Sequence, residues 1–313
     1  MRRYALRRLA FFIPVMIATS ALTFFAVNIV PGDPAVIVLG QQAERTQLER
    51  FREVNGLNDP IFERYLSWGA GMLTGDPGRS LFGGNIQAEL KARFPVTALI
   101  VLFAFGFTIF FGVLFGLLSA VYQDGPMDYF VRTFSVFGQS VPDFYTLTLL
   151  LIVPAILWRY SPPFGYIPFW DDPLRAAQQI IPPTLILSIG GASILMRVTR
   201  SALLEVLRQD YIRTARAKGV RERVVLQRHA LKNAVIPVLT IAGALIAALL
   251  GGSIILENIT SLPGLGQYTF QAVVQSDLNV VMAMTMYAAL LVLATNLVVD
   301  LLYGVVDPRI RYQ

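Results

Sequence analysis

The residues able to do chemistry in this chain are few, and their spacing excludes most reactions. One histidine, His229, serves 313 residues, and there is no cysteine. A lone histidine cannot build a two-histidine zinc site or an HExxH helix, and without cysteine there are no thiolate ligands, thiol nucleophiles or disulfides. A Ser–His pair would need a serine brought to His229, and nothing in the sequence points to one. Lys91, Lys218 and Lys232 are the lysines, and none follows a glycine, so there is no Gly-Lys-Ser/Thr phosphate loop. Gly264-Leu265-Gly266 is a GxG fragment with no strand before it and makes no nucleotide site. The expectation is a chain with no catalytic residue, no metal and no cofactor of its own.

What remains is polar residues stranded in apolar sequence. Gln139 and Ser140 stand just before Pro142-Asp143, and Asn296 lies one helical turn before Asp300. Ionisable groups inside membrane spans are functional candidates by default. Pro142 must also free backbone carbonyls, which need protein or a water-lined route. Lining of a polar route by Gln139, Ser140, Asp143 and Asn296 is one reading, and structural pairing is the other, above all for Asp300. The other outlier is Asp210–Pro237, a basic, water-seeking insert between two very apolar segments. A turn there needs only about four residues. Leu204, Leu207, Tyr211 and Ala215 share one helical face, Gly219 reads as the residue just past a helix end, and Arg221–Ala234 reads as a second helical stretch. Helix, corner, helix suits docking on a soluble partner, and attraction to anionic lipid headgroups is the alternative.

The elements that carry these residues are membrane spans. The composition is 55% hydrophobic and 15% charged, with a mean hydropathy of +0.58, against about 25% charged in a soluble domain. Six apolar runs can cross a ~30 Å hydrocarbon core: Leu9–Val30, Val96–Tyr122, Tyr129–Trp158, Ile180–Met196, Val235–Leu256 and Leu278–Val306. The third is interrupted at Arg132 and Asp143. The first is too long for a signal-peptide core and is expected to be retained. Basic residues concentrate at Arg2, Arg3, Arg7, Arg8, Arg309 and Arg311 and between Arg197 and Lys232, which puts both termini and the basic insert in the cytoplasm. The net charge of +6 is then topology, not nucleic-acid binding. Pro31–Pro95 becomes the long outside segment, with short amphipathic helices at Glu44–Leu57 and Ile61–Leu73 expected on the membrane surface. Gly112-xxx-Gly116 and the series Gly243, Ala247, Gly251 have the spacing of close helix packing in lipid.

Arg213-Thr214-Ala215-Arg216-Ala217-Lys218-Gly219, followed after nine residues by His229-Ala230-Leu231, resembles the EAA loop of ABC-importer permeases. Ala215, Gly219 and Leu231 are in register with that pattern. Arg213 stands where the general pattern has Glu, and this departure, with the following RHAL, looks like the peptide/nickel subgroup. Pro31-Gly32-Asp33-Pro34, Gly75-Asp76, Pro142-Asp143-Phe144, Glu257-Asn258 with Pro263-Gly264-Leu265-Gly266, and Asp307-Pro308-Arg309 agree, so the resemblance covers essentially the whole chain. It implies an all-α integral membrane protein with six transmembrane helices and the type I ABC importer permease fold. Residues 1–95 would hold the first span and an extracytoplasmic subdomain, and 96–313 the five-span core with the coupling loop at 203–235. The loop containing Asp210, Tyr211, Arg213, Thr214, Ala215, Arg216, Ala217, Lys218, Gly219 and His229 would be the coupling element. Glu257, Asn258, Pro263, Gly264 and Gly266 would belong to the outer gate or the binding-protein contact. Implied partners are a second, homologous permease chain, two cytoplasmic ATPases that bind ATP and Mg, an extracytoplasmic binding protein and membrane lipid. The cargo implied is di- or oligopeptide, with nickel, glutathione or oligosaccharide served by the same class. A gradient-driven secondary transporter is the alternative, disfavoured by the long basic insert and the absence of an inverted repeat.

Overall fold

The computed structural model describes residues 2–29, 32–161, 163 and 165–306, without side chains for 2–9 and 300–306. Pro31, Asp307, Pro308, Arg309 and Arg311 lie outside the described residues, as do the side chains of Arg2, Arg3, Arg7, Arg8 and Asp300. Regular structure among the described residues is helical, apart from a single antiparallel bridge between Arg79 and Asn85. In chain order the helices are α1 (Arg2–Ile29), α2 (Pro34–Leu39), α3 (Arg45–Val54), α4 (Ile61–Thr74), α5 (Ile86–Val121), α6 (Pro126–Ser140), α7 (Asp143–Trp158), α8 (Pro173–Leu207), α9 (Asp210–Ala217), α10 (Glu222–Val224), α11 (Leu231–Thr260), α12 (Leu265–Gln275) and α13 (Leu278–Val306). Among the described residues five helical stretches are long and apolar enough to span a membrane, and the pair α6 and α7 makes a sixth if it counts as one span. Tyr129–Trp158 is therefore no straight crossing: α6 and α7 meet at 94°. Pro142 explains the break, because it has no N–H to give a helix arriving from Gly138 and restricts Val141 to extended backbone.

The chain divides into two compact units. One unit gathers 2–97 with 263–294, and the other 98–262 with 295–306. In the first unit, Asp33 caps α2 by accepting from the Ala35 amide at 3.0 Å and pairs with Arg52 of α3. The Arg52 guanidinium holds the Asp33 carboxyl below its ordinary range. The Asp277 carboxylate is buried before α13, accepting from the Ser80 hydroxyl and from the amides of Leu81 (3.2 Å) and Val280 (3.3 Å). The helix expected at Ile61–Leu73 forms as α4, but it is not confined to the end of the first span. Tyr65 shares a 2.9 Å hydroxyl contact with Ser20 and packs with Phe24, Phe25 and Trp68. Ser20 lies about 13 Å before the end of α1 at 1.5 Å per residue, so α4 lies along that helix. Burial of this aromatic cluster outweighs a surface position, and α4 turns Phe62, Leu66 and Leu73 outward.

In the second unit α8 is the centre, packed against α6, α7 and α11. Of its most apolar stretch 61% is buried, against 6% for α1, so its polar residues can be paired inside the protein. Gly112 and Gly116 are needed for close approach: a Cβ on either would stand 2.6 Å from Leu195 or Thr199 of α8. In the expected series on α11, Gly243 meets Val299 in the same way, but Gly251 faces open space. Its neighbour Gly252 is the one against Leu187. The period of four drifts against the 3.6-residue turn, so the face rotates away by the third member.

Asp128, on the first turn of α6, is fully buried and carries the strongest polar node of this unit. Its carboxylate accepts two bonds from Arg200 of α8, both 2.7 Å, one from Ser119 of α5 and one from the Asp124 amide at 3.0 Å. Breaking a buried pair from one side costs on the order of 3 kcal/mol, whereas exposed pairs are worth about 1 kcal/mol or less. Asp128→Ala should therefore lower the thermal unfolding midpoint of the detergent-purified protein by several degrees. Asp210→Ala, which removes the exposed 3.7 Å pair with Arg213, should leave it nearly unchanged.

Candidate functional site

The basic insert folds as a short helix seated on one side chain. α8 ends at Leu207, the chain turns through Arg208 and an extended Gln209, and α9 begins at Asp210. The face drawn through Leu204, Leu207, Tyr211 and Ala215 is thus interrupted at Arg208–Gln209. The anchor is Ile212, which is fully buried, while Tyr211 is 43% exposed. Ile212 packs in a cluster with Ala120 of α5, Ala202 and Leu203 of α8, Val225, Ala230 and Ala234. Tyr211 instead spans the insert with its hydroxyl, which accepts from the Asn233 amide at 2.8 Å and donates to the His229 carbonyl at 3.4 Å. His229 is half-buried and acts here through its backbone.

Gly219 occupies the position expected of it. Its φ is +76°, its amide donates to Arg216 O at 2.9 Å, and the Val220 amide donates to Ala215 O at 3.2 Å. These two bonds make a Schellman end, which requires the left-handed conformation at the glycine. Ala215 and Val220 both pack against the Ile212 cluster, so the turn is pinned from inside. Arg216 closes the corner outside with two bonds to Glu222, at 2.6 and 3.0 Å. That carboxylate holds the guanidinium above its ordinary range. The second stretch is less regular than expected: after α10 the ladder widens to a π turn over Val225–Ala230, then continues unbroken as α11 to Thr260. It does not stop at Ala234. Widened turns of this type are rare and concentrate at functional sites. The outward face left by this packing carries Asp210, Tyr211, Arg213, Thr214, Arg216, Ala217 and Lys218, all exposed.

At the α6–α7 break, Gln139 and Ser140 are exposed and Asp143, the first residue of α7, is half-buried. Gln139 accepts a 2.7 Å bond from Arg197 of α8. Asp143 lines a cavity of about 150 Å³ with Phe144, Leu147, Leu187, Gly252, Ile255 and Leu256. Asn296 is exposed on α13, and no described contact joins it to this group. Arg197 was absent from the polar residues singled out by sequence, because it stands at the end of an apolar run and counted as loop. The signal was its place between Met196 and Val198 in a pattern that remains helical to Leu207. Of the residues following α11, Glu257 is fully buried and Asn258 half-buried, while Ser261 ends the helix at φ +55°. In the other unit Gly264 and Gly266 are buried at the start of α12 and Pro263 is half-buried. Among the described residues no cluster of three metal-ligating side chains occurs.

Two family models match the chain. Residues 112–312 match the inner membrane component of binding-protein-dependent transport systems, and residues 1–88 match the N-terminal region of such membrane components. The oligopeptide transport system permease protein AppB of Bacillus subtilis is 36% identical over all of both chains. The dipeptide transport system permease protein DppB of Alkalihalophilus pseudofirmus is also 36% identical over all of both. A Brucella abortus protein with a provisional peptide-transport permease name is 40% identical over 98% of each chain. Among solved structures, a chain of the MetNI methionine ABC transporter in inward facing conformations superposes with a TM-score of 0.57 at 20% identity. That match covers 70% of this chain and 96% of that one. An amino acid ABC transporter chain gives 0.52 at 14% identity, covering 69% and 92%. On these matches and on its apolar, multi-spanning helical fold, the chain belongs to the inner membrane permease components of binding-protein-dependent ABC transport systems.

Proposed function

We propose that this chain is one of two permease halves of an ATP-driven peptide importer, and that α9 is the element through which ATPase subunits move it. The carrying observation is the Ile212 seat. A two-turn helix is anchored by one buried knob to α5, α8 and α11, while its opposite face offers charged and polar groups. An outward face of that kind suits a groove on a soluble subunit. A loop held only by lipid headgroups would not need a capped corner and an apolar root.

The concentration of basic residues in the segments around α9 and at the chain ends supports cytoplasmic termini and a cytoplasmic α9. ATP and Mg would then be bound by two partner ATPases and by nothing on this chain. Substrate would arrive from an extracytoplasmic binding protein and pass between this chain and a second, homologous permease. Gln139, Ser140, Asp143 and Asn296 would line that route. Glu257, Asn258, Pro263, Gly264 and Gly266 would shape the outer gate, with Asn258 and Pro263 the members of that set showing partial exposure. Peptide as cargo rests on the names of the full-length relatives. Residues 1–95 as first span plus outer subdomain, and 96–313 as core with its coupling loop at 203–235, agree with where the two family models match.

Gly219→Trp has open space for its side chain but forces an L-residue into the left-handed region, at a cost of roughly 1–2 kcal/mol. In the reconstituted complex it should cut substrate-stimulated ATP hydrolysis and uptake about five-fold or more, whereas Gly219→Asn should retain most of both. Unchanged stimulation and uptake in the Trp variant would refute α9 as the coupling element. The purified single chain should bind no ATP and hydrolyse none, as read by nucleotide titration and phosphate release.

A further inference from the structure

α8 carries two arginines three residues apart, and the fold treats them oppositely. Arg200 is matched to the buried Asp128 carboxylate by two 2.7 Å bonds. Arg197 is exposed, and its described partner is a neutral amide oxygen, Gln139 Oε1 at 2.7 Å. Among the described residues it makes no ion pair. A guanidinium without a counter-charge inside a helical bundle belongs where water or a ligand reaches it. Its five donors in a rigid fork match a carboxylate in two-pronged fashion.

A matching anion lies on the same face. Asp143 Oδ1 is 3.9 Å from the position a Cβ would take on Gly190. Gly190 and Arg197 are seven residues apart, which puts them on one stripe of α8, about 10 Å apart along its axis. The lack of a side chain at Gly190 leaves Asp143 room to stand on that stripe. Between the two charges α6 ends in exposed Gln139 and Ser140, at the 94° break. Between them α8 is covered by α6, whose Gly138 packs on the buried Ser193, so Asp143, the exposed end of α6 and the Arg197 guanidinium follow one another along this side of the unit. An extended chain spans at most about 3.3–3.6 Å per residue, so two or three residues cover roughly 7–10 Å. We infer that Asp143 and Arg197 form a transit site for a short zwitterionic peptide, with its ammonium at Asp143 and its terminal carboxylate at Arg197.

The inference rests on the importer proposed above, and one experiment separates the two. The complete complex in proteoliposomes is offered radiolabelled dialanine, its C-terminal amide and its N-acetyl form, with uptake normalised to receptor occupancy by each probe. Wild type should favour dialanine over both blocked forms. Arg197→Gln should lower dialanine uptake about ten-fold and abolish the preference over the amide while keeping that over the N-acetyl form. Asp143→Asn should do the reverse, and Arg197→Lys should recover part of the amide discrimination. Wild-type complex that imports none of the three would refute peptide import itself. Normal dialanine uptake with both preferences intact in Arg197→Gln would overturn the transit site alone. A variant that no longer assembles with the second permease would overturn it too, by assigning Arg197 to the contact between chains.

Discussion

Burial of Ile212 is the interaction on which the insert depends. Eight residues make barely two helical turns, and a helix that short does not persist in water by its own propensity. Full burial of one isoleucine contributes about 2–3 kcal/mol, enough to hold such a helix against a surface that is already formed. That surface is made of small residues: Ala120, Ala202, Ala230 and Ala234 line it and let α9 come close to three longer helices. Because the packing is solid, a displacement of α9 cannot be absorbed locally and must move the residues around it. The charged outward face needs no such precision, since it is solvated until something docks on it.

A second tie lies next to the first. Ser119 bonds Asp128 while Ala120 touches the Ile212 cluster, and Arg200 bonds Asp128 while Ala202 and Leu203 touch the cluster. Neighbouring residues on the same two helices thus serve a polar clamp and an apolar seat. The ends of α5 and α8 are held to each other on one side and to α9 on the other. The polar clamp adds what apolar packing lacks, namely a fixed register between α6 and α8, because a bidentate arginine–carboxylate pair does not slide. From α9 to the first turn of α6 these contacts form one continuous packed block.

The parts of this arrangement that were legible in the sequence are those set by local chemistry. Gly219 ends a helix because only a residue at ease at positive φ can, and Pro142 breaks a span because it lacks a donor. Both were visible as residue types in context. Gly112 and Gly116 were visible as spacing. What the sequence hid depends on which way a face turns. Ile212 and Tyr211 are neighbours of similar bulk, and only the kink at Arg208–Gln209 decides that the isoleucine goes inward. Ala247 and Gly251 continue a spacing that the helix does not keep on one face. α8 was underestimated because its apolar run stops at Met196, although the helix extends to Leu207. Polar residues end a hydropathy run, but not a helix whose neighbours satisfy them.

That last point separates Arg197 and Arg200, the two arginines in the last third of α8. A cation on a spanning helix must be offset by a counter-charge or by water. Arg200 has its offset inside the protein, fixed at two oxygens of a fully buried carboxylate. Among the described residues Arg197 has one neutral acceptor, Gln139, which satisfies one of its donors and none of its charge. Structural demands on this segment are already met by Arg200, so packing gives no reason for a second cation one turn away. It also stands beside the break between α6 and α7, where exposed Gln139 and Ser140 precede the half-buried Asp143. Local inconsistencies that persist in an otherwise well-satisfied helix bundle tend to mark sites of function. Here the inconsistency is a charge, and the transit site inferred above supplies its complement: the carboxylate of the cargo at Arg197.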